Sequence, residues 1–359
     1  MQASDTTAVP PPPPALASRR TRSRSLQFAT FVAVISWFLC ARLLSASASS
    51  GLAIRYGLGD FEPLIEALSL LFLLICGLSL LRSIEQRRAP LRLTLGLPSR
   101  ATARTEWATG AAIGWGLATA CVLPMAIARV LNVQLWTSSR AFYLLGLSLL
   151  TLAVLTLAHT LAVYGYGFHR LIDATGPVRA TLILVAAVAG VHAVMPVPYG
   201  TPQGTRILVD MLTTLLFCIC WFRTHGLWLL WGLHFAWAAA TTALFGLPMA
   251  GNTAFTSVVD TRVFGPAWLT GGAYGPGAAA LSILFLLTAI PVLVRVTDDY
   301  AWKYTHPPII PAGYDVTVPP PAAHVAMEQS ANVQPASATP LVQILPATPQ
   351  NPVVRNPPE

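Results

Sequence analysis

The sequence predicts an all-α polytopic integral membrane protein with about eight transmembrane helices. Hydrophobic residues make up 54% of the 359 residues and charged residues only 10%, with a mean hydropathy of +0.61. A soluble domain carries about a quarter charged residues. Several apolar runs approach the roughly 20 residues that a helix needs to cross a bilayer. Arginines concentrate between alternate runs, which is typical of cytoplasmic loops.

The net charge of +8 comes almost wholly from arginine. In so apolar a chain this charge orients the helices in the membrane. No basic cluster interleaved with aromatic residues lies outside the apolar runs. We therefore expect membrane lipid as a partner and no nucleic acid.

Composition divides the chain into four regions. Residues 1–26 are Pro- and Arg-rich and predict a disordered N-terminus, and residues 297–359 predict a disordered Pro-rich tail. N-terminal transmembrane helices are expected over residues 27–140, and a membrane core over residues 141–296. The eight spans are expected at about 28–46, 63–81, 107–128, 141–168, 180–197, 207–222, 227–247 and 278–294.

The arginine distribution predicts the orientation of these spans. A group of arginines precedes the first span, and a basic loop from Arg82 to Arg104 follows the second. Both termini are then cytoplasmic, in a multi-pass protein of a cell membrane, expected to be a bacterial inner membrane. Residues Ala46-Ser47-Ala48 resemble a signal-peptidase site, but we interpret the first span as an uncleaved anchor.

Two histidines lie well inside apolar runs. His192 is roughly 20 Å along its helix from Arg179, and His234 roughly 16 Å from Arg223. At such similar depths the two imidazoles could bind a divalent metal such as zinc, hold a water or form an oxyanion site. A buried pair, hydrogen-bonded to the backbone or to each other, fits the same spacing.

Other polar residues in this region leave alternatives open. His169 and Asp173 are four apart on a helical continuation, so they form either a site pair or a solvated pair at the interface. Asp210 either completes a polar site or caps the sixth helix. His159 is expected to pack inside the bundle. The HEXXH, G-x-S-x-G and Walker A patterns are absent.

The order of these elements resembles the CPBP intramembrane proteases, that is, the type II CAAX prenyl endopeptidases and their bacteriocin-processing or immunity relatives. Val188–His192 corresponds to that family's Phe-x-x-x-His motif, and His234–Ala238 to its His-x-x-x-Asn/Asp motif, after a similar Trp/Leu-rich lead. GLPMAGN and LTGGAYGPGAA resemble the loop that follows. The resemblance covers about residues 141–290.

The resemblance implies a CPBP-type core bundle and intramembrane cleavage of prenylated or other membrane-held peptides. It implies catalytic roles for His192 and His234. The family's first motif, two adjacent glutamates followed four residues later by arginine, corresponds to Tyr164, Gly165 and His169. Ala238 replaces the Asn or Asp of the third motif. The missing glutamates predict impaired catalysis.

Three alternatives remain at the sequence level. A divergent active hydrolase would use Asp210 or Glu66 as its base, which requires an acid within hydrogen-bonding reach of His192 or His234. A non-catalytic binding or immunity-type protein would use the old active-site cavity to hold a lipid or peptide. A small-solute transporter would need a helix broken inside the membrane, with Pro124 as the expected break.

Overall fold

A computed structural model describes residues 23–84, 91–255 and 258–297, together with the single residue Gln329. The predicted disordered regions 1–26 and 297–359 therefore lie almost wholly outside the described residues. The described part is nearly all helical. Its helices are α1 Arg24–Tyr56, α2 Glu62–Ile84, α3 Leu91–Thr94, α4 Ala103–Ile127, α5 Ser139–Thr160, α6 Phe168–Thr175, α7 Pro177–Val194, α8 Gln203–Thr224, α9 Trp228–Ala239, α10 Ala267–Thr270 and α11 Ala280–Val296.

Six helical segments within the described residues are long and apolar enough to cross a membrane, so the chain is membrane-embedded. They are Arg24–Tyr56, Gly59–Ile84, Ala103–Ile127, Ser139–Thr175, Pro177–Val194 and Gln203–Thr224. Two further segments match the predicted seventh and eighth spans but are shorter. One is α9 with the π-helical turn Ala240–Leu244, and the other is α11, with 17 residues. The count of eight spans stays a prediction.

Successive long helices run in alternate directions, so the bundle has two ends. At one end Arg140, at the start of α5, donates to Asp60 at 3.2 Å. At the other, Arg223 at the end of α8 donates to Thr297 just after α11, at 3.0 Å. One arginine from each of helices α1, α2, α4, α7, α8 and α11 lies at this second end, which we call the basic end. These arginines are Arg24, Arg82, Arg104, Arg179, Arg223 and Arg295.

The opposite end carries a short antiparallel ribbon that an all-α prediction misses. Strand β1, Leu131–Leu135, pairs with β2, Val259–Val263, in the register Leu131↔Val263. The ribbon joins the segment between α4 and α5 to the segment between α9 and α11. We call this the ribbon end.

Helices α4 and α9 cross closely because glycines line the contact. A Cβ on Gly110 would overlap the Leu229 carbonyl oxygen, and one on Gly114 would overlap that of Leu233. From the other side, a Cβ on Gly232 would overlap the Trp107 carbonyl oxygen. Small residues four apart allow two helix backbones this close approach. The crossing fixes α9, and with it His234.

The predicted basic loop after α2 is folded against the bundle over its described part. The Gly96 carbonyl accepts a hydrogen bond from the Leu227 backbone N–H at 2.8 Å. Arg100 donates to the Thr224 carbonyl at 2.9 Å and to the fully buried Glu106 carboxylate at 2.8 Å. These contacts fasten the turn between α8 and α9 at the basic end.

Helices α5 and α6 follow one another through the π-helical turn Leu161–Gly167, where the helix is kinked, and every residue of that turn is buried. Gly165 departs from helical geometry there, with φ −79° and ψ −106°. Pro124, the predicted break of a transporter, instead lies near the end of α4, so that expectation was wrong. Residues Ala46-Ser47-Ala48 lie inside α1, between the buried Ser45 and Ser49.

Candidate functional site

His192 meets an acid. It lies in the last turn of α7, and its Nδ1 contacts the Asp210 carboxylate oxygen Oδ2 on α8. The two side chains are 30% and 18% exposed, so solvent reaches the pair. Asp210 therefore forms part of a polar site. It does not cap α8, which begins at Gln203 without a side-chain cap.

A buried cation lies beside this pair. Arg206, one turn before Asp210 on α8, is 2% exposed, and its Nη2 donates to the His192 carbonyl oxygen. Gln203 Nε2 donates to the same oxygen at 3.4 Å. Among the described residues no partner is found for Arg206 Nε. This nitrogen is enclosed by the protein, so the positive charge of the guanidinium, rather than a free Nε–H, is what Arg206 brings to the pair.

Tyr274 completes the group from the loop before α11. The Arg206 guanidinium carbon lies 5.4 Å from the centroid of its ring. Burial, followed by the charge of Asp210, raises the pKa of Tyr274 to about 12 despite the opposing effect of Arg206. Its hydroxyl therefore stays protonated at neutral pH and can donate a hydrogen bond. His192, Asp210, Arg206 and Tyr274 form what we call the ribbon-end cluster.

His234 has a different environment. Its ring centroid lies 5.3 Å from that of His159 and 5.2 Å from that of Phe217. Neither His159 Nδ1 nor His234 Nδ1 has a hydrogen-bond partner among the described residues. Tyr164 also packs against His159, with ring centroids 6.2 Å apart. We call His159 and His234 the histidine pair.

Among the described residues no contact joins His192 to His234, so the predicted pairing is not found. His159 is near both of them. Its ring centroid lies 5.3 Å from that of His234, and it is close enough to His192 for an electrostatic interaction. Within the described residues no three or more His, Cys, Asp or Glu side chains converge as a metal-ligand group. A metal held by His192 and His234 stays an untested prediction, as does a zinc cofactor.

Glu66, the other acid considered as a base, lies on α2, which packs against α1 and α5. Among the described residues, no hydrogen bond or ion pair connects it with His192 or His234. Of these two imidazoles, His192 is the one that an acid, Asp210, reaches, which is what a divergent hydrolase requires.

His169 is a surface residue. Its Nε2 lies 3.9 Å from Asp173 Oδ2, and the two side chains are 47% and 36% exposed. The buried cation in this segment is the next residue, Arg170, which is fully buried. Arg170 donates hydrogen bonds to the Tyr166 hydroxyl oxygen at 2.8 Å and to the Gln27 amide oxygen at 3.2 Å. The charged residue that this segment buries is therefore Arg170, and not His169.

Gly165 lies where the structure leaves no room for a side chain. A Cβ at this position would lie 2.6 Å from the Leu95 carbonyl oxygen. Backbone contacts this short force the chain to shift, so the folded-back segment at residues 91–100 and a side chain at 165 exclude one another. The only sequence sign of this contact is the glycine itself.

No family model, curated protein or solved structure matches this chain. The resemblance to the CPBP proteases therefore rests on the ordered motifs alone, and the function has to be argued from the geometry.

Proposed function

We propose that this chain is an integral membrane hydrolase resembling the CPBP endopeptidases, in which His192 and Asp210 activate water. The carboxylate of Asp210 at His192 Nδ1 is the observation that carries the proposal. A carboxylate there favours a proton on Nδ1 and leaves the lone pair of Nε2 available. This is the arrangement of a general base and its orienting acid.

The chemistry follows from the charges around the pair. His192 Nε2 takes a proton from a water, whose oxygen attacks the carbonyl carbon of a peptide bond. The carbonyl oxygen becomes anionic, and the positive charge of Arg206 and the protonated Tyr274 hydroxyl are the groups of this cluster that would stabilise it. The proton on His192 then passes to the leaving amine, which restores the base.

The substrate class comes from the location of the cluster. His192 lies at the end of a membrane-length helix, and α7 faces outward along most of its length. A peptide held in the bilayer by a lipid or an apolar segment reaches such a position without leaving the membrane. The resemblance points in the same direction, to prenylated or similar membrane-held peptides. In this proposal the basic end and both termini are cytoplasmic, because arginines accumulate on the cytoplasmic side.

A cleavage assay tests the proposal. Purified full-length protein in lipid nanodiscs is mixed with a panel of prenylated and unmodified apolar peptides, and products are measured by mass spectrometry. We expect His192→Ala and Asp210→Asn each to lower turnover by about 10²–10⁴-fold, the usual range for a general base and its orienting acid. His169→Ala removes an exposed histidine as the matched control, and should leave turnover within about twofold. Turnover that survives His192→Ala, or none with any peptide, would contradict the proposal.

The second candidate is a non-catalytic binding or immunity-type protein, and the histidine pair favours it. Two buried imidazole nitrogens without partners are donors or acceptors that a bound group could satisfy. The same peptides distinguish the candidates. Binding without cleavage, weakened by His234→Phe and unaffected by Asp210→Asn, would select the binding protein.

A further inference from the structure

The basic end carries an open pocket of about 370 Å³ between α1, α6 and α7. It lies far from the ribbon-end cluster, because α7 begins at the pocket and carries His192 in its last turn. Arg24, the first residue of α1, and Arg179, in the first turn of α7, both line it. Asp173 and Thr175 of α6 supply its remaining polar side chains.

The pocket has a surplus of positive charge. Within the described residues, neither the Arg24 nor the Arg179 side chain forms a hydrogen bond or an ion pair. The charge of Asp173 is already countered, since its Oδ2 lies 3.6 Å from the buried Arg170 and 3.9 Å from His169. The Thr175 hydroxyl donates to the Leu171 carbonyl at 2.9 Å. The two arginines are therefore the groups available to a ligand, and the ligand they favour is an anion.

The fold holds the two arginines on one pocket. The bond from Arg170 to the buried Gln27 fixes α6 against the first turn of α1. Gly176, at φ +87° and ψ 163°, then turns the chain directly from α6 into α7. A residue with a side chain rarely adopts this positive φ, so glycine permits the direct turn. The turn brings Arg179 to the same pocket as Arg24.

The apolar residues beside the arginines indicate what kind of anion binds. Phe28 lies one turn along α1 from Arg24 and is 42% exposed. Leu182, one turn along α7 from Arg179, is 64% exposed, and Val178 is 71% exposed. Two cations at the ends of membrane-length helices, with exposed apolar side chains one turn deeper, match a phosphate group and the acyl chains below it.

We propose that this pocket binds the phosphate headgroup of an anionic phospholipid. The arginines contact the phosphate oxygens, for which their forked donors are well shaped. The acyl chains lie along the exposed apolar faces of α1 and α7. The proposal is independent of any hydrolytic activity at the ribbon-end cluster.

The retention of lipid by the purified protein tests this proposal. Full-length protein is purified in detergent, supplied with equal amounts of phosphatidylglycerol and phosphatidylcholine, and examined by native mass spectrometry. The wild type should retain phosphatidylglycerol in preference to phosphatidylcholine. Arg24→Gln with Arg179→Gln should lower that retention by about tenfold or more, since each basic residue near an anionic lipid surface contributes substantially to binding.

The matched control removes the same charge at the ribbon end, with Arg129→Gln and Arg262→Gln, two exposed arginines. It should retain phosphatidylglycerol as the wild type does. Equal losses in the two double variants, or equal retention of both lipids by the wild type, would overturn the proposal. A final arm adds inorganic phosphate as competitor. Displacement only at millimolar phosphate supports a lipid headgroup, whereas displacement by phosphate at the lipid's own concentration would overturn the lipid assignment.

Discussion

The ribbon-end cluster and the histidine pair place the same side chain in opposite environments. His192 is partly exposed, has an acid at Nδ1, and has a carbonyl held by Arg206. His234 lies against rings, and its Nδ1 has no partner among the described residues. The contrast teaches that an apolar sequence context does not by itself make a histidine functional. The side chain that the neighbouring helix presents decides its environment, which is Asp210 for His192 and Phe217 for His234.

The substitution with the largest expected effect tests whether the close crossing of α4 and α9 holds His234 in place. Gly110→Ala would put a methyl group into the Leu229 carbonyl and push α9, which carries His234, away from α4. We expect a loss of about 3 kcal/mol in the free energy of unfolding, at the upper end for overpacking. Tryptophan fluorescence during denaturation in detergent measures it.

The control for this variant lies on the same helix. Gly116 has open space where a Cβ would be, so Gly116→Ala should leave stability unchanged or raise it slightly, as alanine favours helix over glycine. Equal losses in the two variants would mean that the glycine crossing does not support the histidine pair.

A matched pair of ring substitutions tests the comparison itself. His192→Phe leaves the Asp210 carboxylate without its partner and should cost about 1–3 kcal/mol. His234→Phe removes a buried unpaired nitrogen while keeping a ring, and should be neutral or stabilising by a similar amount. Thermal melting of both variants beside the wild type measures the difference. A cost at His234 equal to that at His192 would show that the histidine pair has a polar partner.

The smallest expected effect concerns His225, in the turn after α8, whose side chain is about half buried. Partial burial, then the charges of Arg100 and His169, lower the pKa of His225 below its usual 6.5. The unfolded chain therefore binds a proton more readily. The neutral His225 side chain therefore makes its full contribution to the free energy of unfolding above about pH 6.5. That contribution is lost as the pH falls from there through the lowered pKa of the folded state.

Acidification from pH 7 to pH 5 should thus lower the melting temperature, with a contribution from His225 on the order of 1 °C. His225→Asn provides the comparison, because asparagine tolerates the positive φ of 46° at this position. The two proteins should differ in how far they shift between the two pH values. Identical shifts would assign the pH dependence to other groups.

The sequence was sufficient for the long helices, because an apolar run of membrane length leaves the backbone no other way to satisfy its hydrogen bonds. It also marked Asp210 and His192, without showing that they meet. That contact depends on the register between α7 and α8, which the Pro/Gly-rich segment between them sets. Arg206 directly precedes the expected span 207–222, a position typical of an exposed loop, yet it is buried at the site.

Other features had no local signal. The ribbon pairs segments far apart in the chain, so neither strand shows in its own neighbourhood. Arg170 and His169 are adjacent, and the π-helical turn before them decides which one faces the interior. Such a turn inserts one extra residue into the helical register, which shifts every later side chain around the helix.

Helix α7 buries few of its residues against the rest of the bundle, and this affects how a molecule in the bilayer could reach His192. Only Ala180 and Leu184 of its 18 residues are buried, both in its half nearer the basic end. Its other end is held by the contacts around His192. Under the proposed function, a peptide would enter from the bilayer at this end, and these contacts would act as a lateral gate. Under the proposed chemistry, a proton on His192 turns its contact with Asp210 into an ion pair, which is stronger. The gate then tightens while the tetrahedral intermediate exists and loosens when the proton leaves with the product.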